Sequence, residues 1–415
     1  MKKNIDIIVL GATGFTGKCA AKMLASLTRG TYCDIIWAVA GRSKDKMKKL
    51  IAELSKTGAD TSNFTAVEID VRNYESLKKS LTTTKVVINC TGPNCILSEP
   101  IVKACIETGT HYVDISAEML HILQLYRDYN KRAEDANTLI VPSCGYASIP
   151  LEIGMVYLER QFQGILHSTE CYMELFLPIC LFRNAIIHNG TCTSTVHVME
   201  TYKEHLELWG EMFPSIKDEP MELKKPFFHQ HNRRLWFPTP GPDANVATMS
   251  QQYLYEKIKK KPVHVRAYAT VEKLWHFIIV PIMYIYYYLS YFKCFRMLLI
   301  NFPSFFTIGM VSERGPTDET RRNSKFKFTL NGKGWDKEDD LKSEPPKSLS
   351  VEVTAVDPGY DATAAAIIMC AITILKEPSN IPKGGVVTPG AAFYRTDLIS
   401  RLMETGYKFE VLKSA

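Results

Sequence analysis

No Cys-x-x-Cys pair occurs in this chain, and its 11 cysteines are scattered through 415 residues. Thiolate metal sites need that close spacing and disulfide-framed domains need a denser set, so neither is expected. Several cysteines, Cys90, Cys105 and Cys144 among them, sit inside apolar runs, the pattern of reduced thiols buried in the cytosol. Lysine and arginine never form a block of five, and the net charge of +6 is small for the length. A nucleic-acid partner therefore has no electrostatic footprint here. A secretory leader is also expected to be absent, since Met1-Lys2-Lys3-Asn4 runs straight into an apolar strand. The Asn-x-Thr triplets at Asn63 and Asn189 then read as chance. What remains is globular. Hydrophobic residues make up 46% and charged residues 23%, enough for a real core, and the length calls for two or three domains.

The chain is organised around its first strand and turn, Ile5-Asp6-Ile7-Ile8-Val9-Leu10 followed by Gly11-Ala12-Thr13-Gly14-Phe15-Thr16-Gly17. The short apolar, β-branched run predicts a buried parallel strand, and Lys18–Ala25 predicts a helix. Strand, Gly-x-x-Gly-x-x-Gly turn and helix in that order form the context of a dinucleotide-binding fingerprint. Gly11 permits the tight turn, Gly14 leaves room for a pyrophosphate, and Gly17 lets the helix pack close; Thr13, Phe15 and Thr16 complete the turn. Phosphates there face free N–H groups and the positive end of the helix dipole. The second strand, Asp34–Ala40, ends in Gly41-Arg42-Ser43 with no acid before Asp45. An NAD site usually closes this strand with a carboxylate for the ribose 2′-hydroxyl, whereas a guanidinium suits the 2′-phosphate of NADP(H). Arg42 and Ser43 are the expected contacts; the alternative for Arg42 is a solvated surface residue.

Phe64–Asp70 predicts a third strand with Asp70 at its end, either accepting from the adenine amino group or capping the next helix. Lys85–Cys90 predicts a fourth, followed by Thr91-Gly92-Pro93. Ligands of open α/β sheets lie beyond the carboxyl ends of strands, near the reversal of strand order. That places Cys90, Thr91, Gly92 and Pro93 beside the nicotinamide ribose. Strand and helix alternate to about residue 157, which predicts a Rossmann-type doubly wound parallel sheet. The rhythm then changes. His167–Leu177, Val263–Thr270, Lys325–Leu330 and Leu349–Val356 alternate in polarity without regular helices between them, predicting an α+β region on an antiparallel sheet. Thr193–Leu208 reads as one helix and 210–242 as irregular loop.

Taken together, these stretches resemble the saccharopine dehydrogenase-like oxidoreductases over nearly the full length. The resemblance is carried by GATGFTG with WAVAGRS, NCTGP, EPIVKACIETGTHYVDISAE, GYASIP, the aromatic run near residue 280 and TPGAAF. It implies an NADP-binding domain at 1–157, an inserted α+β domain at 158–357, and a segment 358–415 that returns to the first domain. It also implies association with membranes or lipid droplets, here at their cytoplasmic face. Related bacterial proteins act as trans-acting enoyl reductases in lipid synthesis; the substrate of the animal members stays open. Two stretches depart from the family. Asp-Ile-Ser-Gly-Glu is Asp114-Ile115-Ser116-Ala117-Glu118 here, and Gly-Phe-Asp-Ser-Ile-Pro-x-Asp is Gly145-Tyr146-Ala147-Ser148-Ile149-Pro150-Leu151-Glu152. The acid missing at Ala147 either orients substrate or caps a helix.

A reductase must place its substrate against the nicotinamide and supply a proton donor. Tyr146, Cys90, Ser116, Glu118 and His188 are candidates by position, but none carries a spacing motif, and no catalytic residue is assigned. No Arg or Lys lies in the loops facing the nicotinamide, which disfavours a dicarboxylate amino acid and favours a small, lipid-like substrate. Two readings stand: an NADP(H)-dependent oxidoreductase acting on a lipid-like carbonyl or enoyl group, and a nucleotide-binding droplet or membrane protein without catalysis. Either is compatible with a homodimer. The run Leu274–Phe292 approaches the roughly 20 residues that a spanning helix needs. One crossing would separate the two parts of the NADP-binding domain, and no second such run exists. A buried core helix and a helix lying in the interface remain. Trp275 and the tyrosines suit interfacial depth, Lys273, Lys293 and Arg296 suit anionic head groups, and Pro281 bends the helix. Residues 274–300 are expected to associate with a membrane without crossing it.

Overall fold

The computed structural model describes residues 3–56, 64–178, 184–214, 223–239, 241–271, 279–337 and 344–412. Six strands open the chain: β1 (Ile5–Leu10), β2 (Trp37–Gly41), β3 (Phe64–Glu68), β4 (Thr84–Asn89), β5 (His111–Asp114) and β6 (Leu139–Val141). They are followed in turn by α1 (Phe15–Leu27), α2 (Lys44–Lys56), α3 (Tyr74–Leu81), α4 (Asn94–Thr108), α5 (Met119–Asp135) and α6 (Ile149–Phe162). The sheet is parallel, in the order β6-β5-β4-β1-β2-β3, with the late strand Gly385–Val386 added beside β6. Its strand order reverses between β1 and β4.

Burial on both faces explains why β1 is an unbroken apolar run. Ile7 and Val9 point into a core shared with α1, α2 and the helix Asp361–Lys376, while Ile8 and Leu10 point into a core shared with α3, α4 and α5. All four are at most 1% exposed, and each such burial is worth about 1.5–3 kcal/mol. The helix Asp361–Lys376 is buried on every side from Ala362 to Ile374, as a helix apolar all round must be.

A second sheet follows the order Lys408–Leu412, Lys347–Val356, Lys325–Trp335, Ile165–Phe176, His264–Val271, Arg234–Pro238, His229–His231. α6 and the helix Asp243–Ile258 pack toward it, and Phe326, Phe328, Val351 and Val353 join the same core as Ile7 and Val9. The two sheets therefore share one hydrophobic core. The expectation of an antiparallel sheet is corrected at one pair: His264–Val271 runs parallel to Ile165–Phe176. Some ninety residues with their own helices separate those strands in sequence, and a crossover of that length allows parallel pairing.

Other local readings also change. The C-terminal segment divides, since Gly385–Val386 returns to the first sheet but Lys408–Leu412 pairs with Lys347–Val356 of the second. In that last strand Phe409 is buried between exposed Lys408 and Glu410, a two-faced pattern that suits a half-solvated edge rather than a doubly covered sheet. Within 210–242 lies a hairpin whose turn residues Asn232 and Arg233 both take left-handed backbone, φ +47° and +60°, as a two-residue type I′ turn requires. The single helix expected over Thr193–Leu208 is two, Asn189–Glu200 and Tyr202–Met212. At the break the Thr201 hydroxyl bonds back to the His197 carbonyl at 2.9 Å, a local competitor for the helical ladder.

Of the long apolar run, Leu274–Ile278 lies outside the described residues. The remainder forms the helix Ile279–Leu289, then Lys293–Asn301 and Pro303–Phe306. Among the described residues no helix is long and apolar enough to cross a membrane.

Candidate dinucleotide site

The glycine turn joins β1 to α1 beside the end of β4. Gly11 has φ +74°, and a Cβ there would stand 2.9 Å from the backbone of Cys90 and Thr91. Gly17 is tighter, with a Cβ 2.2 Å from the Gly11 carbonyl oxygen. Gly14 differs: its backbone is ordinary (φ −75°, ψ 171°), and a Cβ would meet only the Gly11 carbonyl, at 3.2 Å. α1 begins at Phe15 with no side-chain cap and no acid in its first turn. Thr16 lies in that turn, half-buried. An uncapped helix start of this kind presents N–H groups and a positive dipole end to an anion.

Two further loops end at the same rim. The Ala12 N–H donates to the Ala40 carbonyl at 3.2 Å, and Thr13 lies beside Gly41 at the end of β2. Arg42 is exposed and makes no ion pair among the described residues. The Ser43 hydroxyl accepts from the Lys46 N–H at the start of α2. Asp70 was open between two roles, and the cap of α3 belongs to another residue: Asn73 accepts from the Ser76 N–H. The Asp70 carboxylate accepts from the Arg72 N–H at 3.0 Å and is exposed.

Beyond β4, the Cys90 N–H donates to the Leu10 carbonyl, and Thr91 donates to Asn89 Oδ1 through both its N–H (3.0 Å) and its hydroxyl (2.6 Å). Gly92 and Pro93 lead into α4. A buried network holds this loop against its neighbours. Asn89 donates to the Tyr112 hydroxyl, Tyr112 donates to Asp114, and the other Asp114 oxygen accepts from the N–H groups of Ser116 and Ser143. The ends of β4, β5 and β6 are thereby tied together.

That network takes up two of the five proton-donor candidates, Ser116 and Glu118. Glu118 caps α4, accepting from the N–H groups of Asn94 (3.0 Å) and Cys95 (2.8 Å). Ser116 accepts from the Glu118 N–H and from the Ser143 hydroxyl. Burial pushes the Cys90 thiol up to about 12. The Tyr146 hydroxyl points at the Met173 sulfur, 3.1 Å away, with Phe326 and Phe328 around its ring. Two candidates are brought to the fingerprint: the Cys90 backbone lies against Gly11, and the His188 ring stacks on Phe15 at 5.1 Å. Its Nδ1 accepts from the Gly190 N–H, and burial lowers its pKa.

Phe15 is enclosed by residues that no local pattern pointed to. Tyr360 meets it edge-on at 4.5 Å, the Arg321 guanidinium lies 5.8 Å over its ring, and Gly315 (φ +70°) leaves no room for a Cβ against it. They come from positions some 300 residues away, so no spacing could reveal them. A cleft of about 650 Å³ opens beside them, lined by Phe15, Lys18, Lys22, Thr317, Arg321 and Asp361.

Two acids behind the site are buried. Glu152 accepts from the Gly390 N–H at 2.7 Å, which docks the Thr388-Pro389-Gly390-Ala391 turn, while Asp243 Oδ1 has no hydrogen-bond partner among the described residues. Burial raises Glu152 to about 8 and Asp243 to about 7. The folded state thus retains protons that an unfolded chain releases near pH 4, so this stabilisation is full below about pH 4 and is lost as pH rises through 7 and 8. Glu152→Gln with Asp243→Asn should flatten the fall in melting temperature between about pH 5 and 9. An unchanged slope in the double variant would contradict this assignment.

Comparison with known proteins agrees with this geometry. Residues 7–141 match the Saccharopine dehydrogenase NADP binding domain, so the cofactor is NADP(H). The human saccharopine dehydrogenase-like oxidoreductase is 32% identical over all of this chain and 99% of its own length. The lipid droplet localized protein of Caenorhabditis elegans is 27% identical over 98% of both chains. Among solved structures, apo saccharopine dehydrogenase (L-Glu forming) from Saccharomyces cerevisiae superposes with a TM-score of 0.52 at 14% identity, covering 99% of this chain and 100% of that one. That likeness is one of fold.

Proposed function

Because the chain belongs to the saccharopine dehydrogenase-like oxidoreductases, we propose that it is an NADP(H)-dependent oxidoreductase working on a hydrophobic, lipid-like substrate at the cytoplasmic face of a membrane or lipid droplet. The observation that carries the surface assignment is a concentration of exposed apolar side chains between residues 285 and 305. Ile285, Tyr288, Tyr291, Phe292, Met297, Phe302 and Phe305 are each more than half exposed, far beyond the scattered apolar residues of an ordinary surface. Tyrosine rings with polar tips suit the depth of lipid head groups. The name of the worm relative points the same way.

The residues at the first site fit the dinucleotide. The Gly14 N–H is spent on the Gly11 carbonyl at 2.9 Å, so the N–H groups at Phe15 and Thr16 and the α1 dipole would hold the pyrophosphate, with Gly14 leaving it room, Gly11 and Gly17 keeping the turn closed and Thr13 at its rim. Arg42 and Ser43 would hold the 2′-phosphate, Asp70 the adenine side, and Cys90, Thr91, Gly92 and Pro93 the nicotinamide ribose. When bound, the cofactor supplies or accepts a hydride. The loops 90–93, 115–118 and 143–148 contain no Arg or Lys, which supports an apolar substrate over a dicarboxylate amino acid.

One observation favours a second reading, a nucleotide-binding surface protein without catalysis. Ala147 stands where the family carries an acid, and Ser116, Glu118 and Tyr146 are occupied within the fold. Loss of NADPH absorbance in the presence of vesicles carrying medium-chain and long-chain enals separates the two. Turnover supports the enzyme, and its absence with NADPH bound supports the second reading.

Arg42→Ala should lower the preference for NADPH over NADH by about 10- to 100-fold, the worth of charge-assisted hydrogen bonds to a phosphate. Equal wild-type affinity for both nucleotides would overturn the role of Arg42.

A further inference from the structure

We propose that nucleotide binding and docking on a lipid surface are thermodynamically linked through the helix Asn189–Glu200; this rests on the lipid-surface reading above. That helix has its two ends on different structures. At its start, His188 stacks on Phe15 of the fingerprint, and the His188 N–H donates to the Tyr360 hydroxyl at 2.7 Å. At its end, a Glu200 carboxylate oxygen lies 2.6 Å from the Arg296 guanidinium, in the apolar helix Lys293–Asn301. Tyr202, just beyond, meets Tyr287 at 5.5 Å. Helical residues rise about 1.5 Å each, so these twelve make a rod of roughly 18 Å between the two surfaces.

A shorter connection runs beside it. Ser304 donates to the Val311 carbonyl at 2.7 Å, and Val311–Ser312 pairs with Ile187–His188. The apolar helices are therefore fastened by strap and rod to the side chain that opens α1. A pyrophosphate on the N–H groups of that turn restrains Phe15 and with it the rod. A lipid surface on 285–305 restrains the other end. Whichever ligand arrives second meets a rod already held, so it loses less conformational entropy and binds more tightly. Reciprocity is then required: each ligand must change the affinity of the other by one and the same factor.

The test uses the full chain. NADPH is titrated with and without saturating vesicles of phosphatidylcholine and phosphatidylserine, and vesicle partition is measured with and without saturating NADPH. The expected result is a gain of about fivefold or more in both directions, with equal factors. Glu200→Ala breaks the ion pair to Arg296 and frees that guanidinium for anionic head groups, so its affinity for vesicles without NADPH rises and its affinity for NADPH without vesicles is retained, while the gain that each ligand gives the other should be lost. Tyr360→Phe should retain both separate affinities and lose the gain from the opposite end. Wild-type protein that binds NADPH and vesicles independently overturns the linkage while leaving the proposed function intact, and a Glu200→Ala variant with the full gain overturns the role of the helix. Wild type that ignores vesicles overturns the lipid-surface reading, and the linkage with it.

Discussion

Gly14→Val yields a folded protein that no longer binds NADPH. The backbone at Gly14 lies where any residue is comfortable, and a new Cβ meets one carbonyl oxygen at 3.2 Å, so the fold accommodates it with a small shift. The position is exposed at the mouth of α1. A branched side chain there occupies the space through which a pyrophosphate must approach the backbone. Titration calorimetry should show at least about a 100-fold loss of affinity, with the melting temperature within a few degrees of wild type. Gly17→Ala gives the opposite outcome. Alanine favours a helix over glycine by about 1 kcal/mol, yet its Cβ would stand 2.2 Å from the Gly11 carbonyl oxygen and 2.9 Å from the Ala12 Cα. Contact with backbone cannot be relieved by a rotamer, so melting temperature falls despite the better propensity. If Gly14→Val binds NADPH normally, the phosphates lie elsewhere.

The triple variant Ile285→Glu, Phe292→Glu, Phe305→Glu should abolish vesicle binding and leave the fold unharmed. These side chains are 54%, 62% and 80% exposed, so little core packing is lost when they change. In lipid each contributes up to about 1.5–3 kcal/mol of apolar burial, and a carboxylate replaces that gain with a desolvation cost. Three together should lower partitioning by more than about 100-fold in a flotation assay. A variant that floats with the vesicles as wild type does would remove this surface from the docking assignment. An unchanged melting temperature distinguishes loss of docking from unfolding.

How much of this was legible in the sequence follows from the range of the interactions. The β1 run, the glycine turn, the start of α1 and the Gly41-Arg42-Ser43 junction are local: backbone conformation and the burial of adjacent residues dictate them, so spacing alone revealed the parallel sheet and the expected cofactor type. The apolar stretch near residue 280 is likewise local, since its composition alone marks it. Other features depended on residues distant in sequence. The parallel pairing of His264–Val271 with Ile165–Phe176 is set by how a long crossover packs over α6. Glu118 became a helix cap and Asn89 a hydrogen-bond hub only because β4 and β5 lie side by side. The enclosure of Phe15 by His188, Gly315, Arg321 and Tyr360 has no sequence signature at all. Sequence by itself determined the fingerprint's spacing, because Gly14 and Gly17 both answer to the Gly11 carbonyl a few residues away, whereas Gly11 also makes room for Cys90 and Thr91 at the end of β4. Only the tertiary structure decided what the fingerprint touches, because shared core packing brought His188, Gly315, Arg321 and Tyr360 onto Phe15 and spent the polar groups around the site on holding strand ends together.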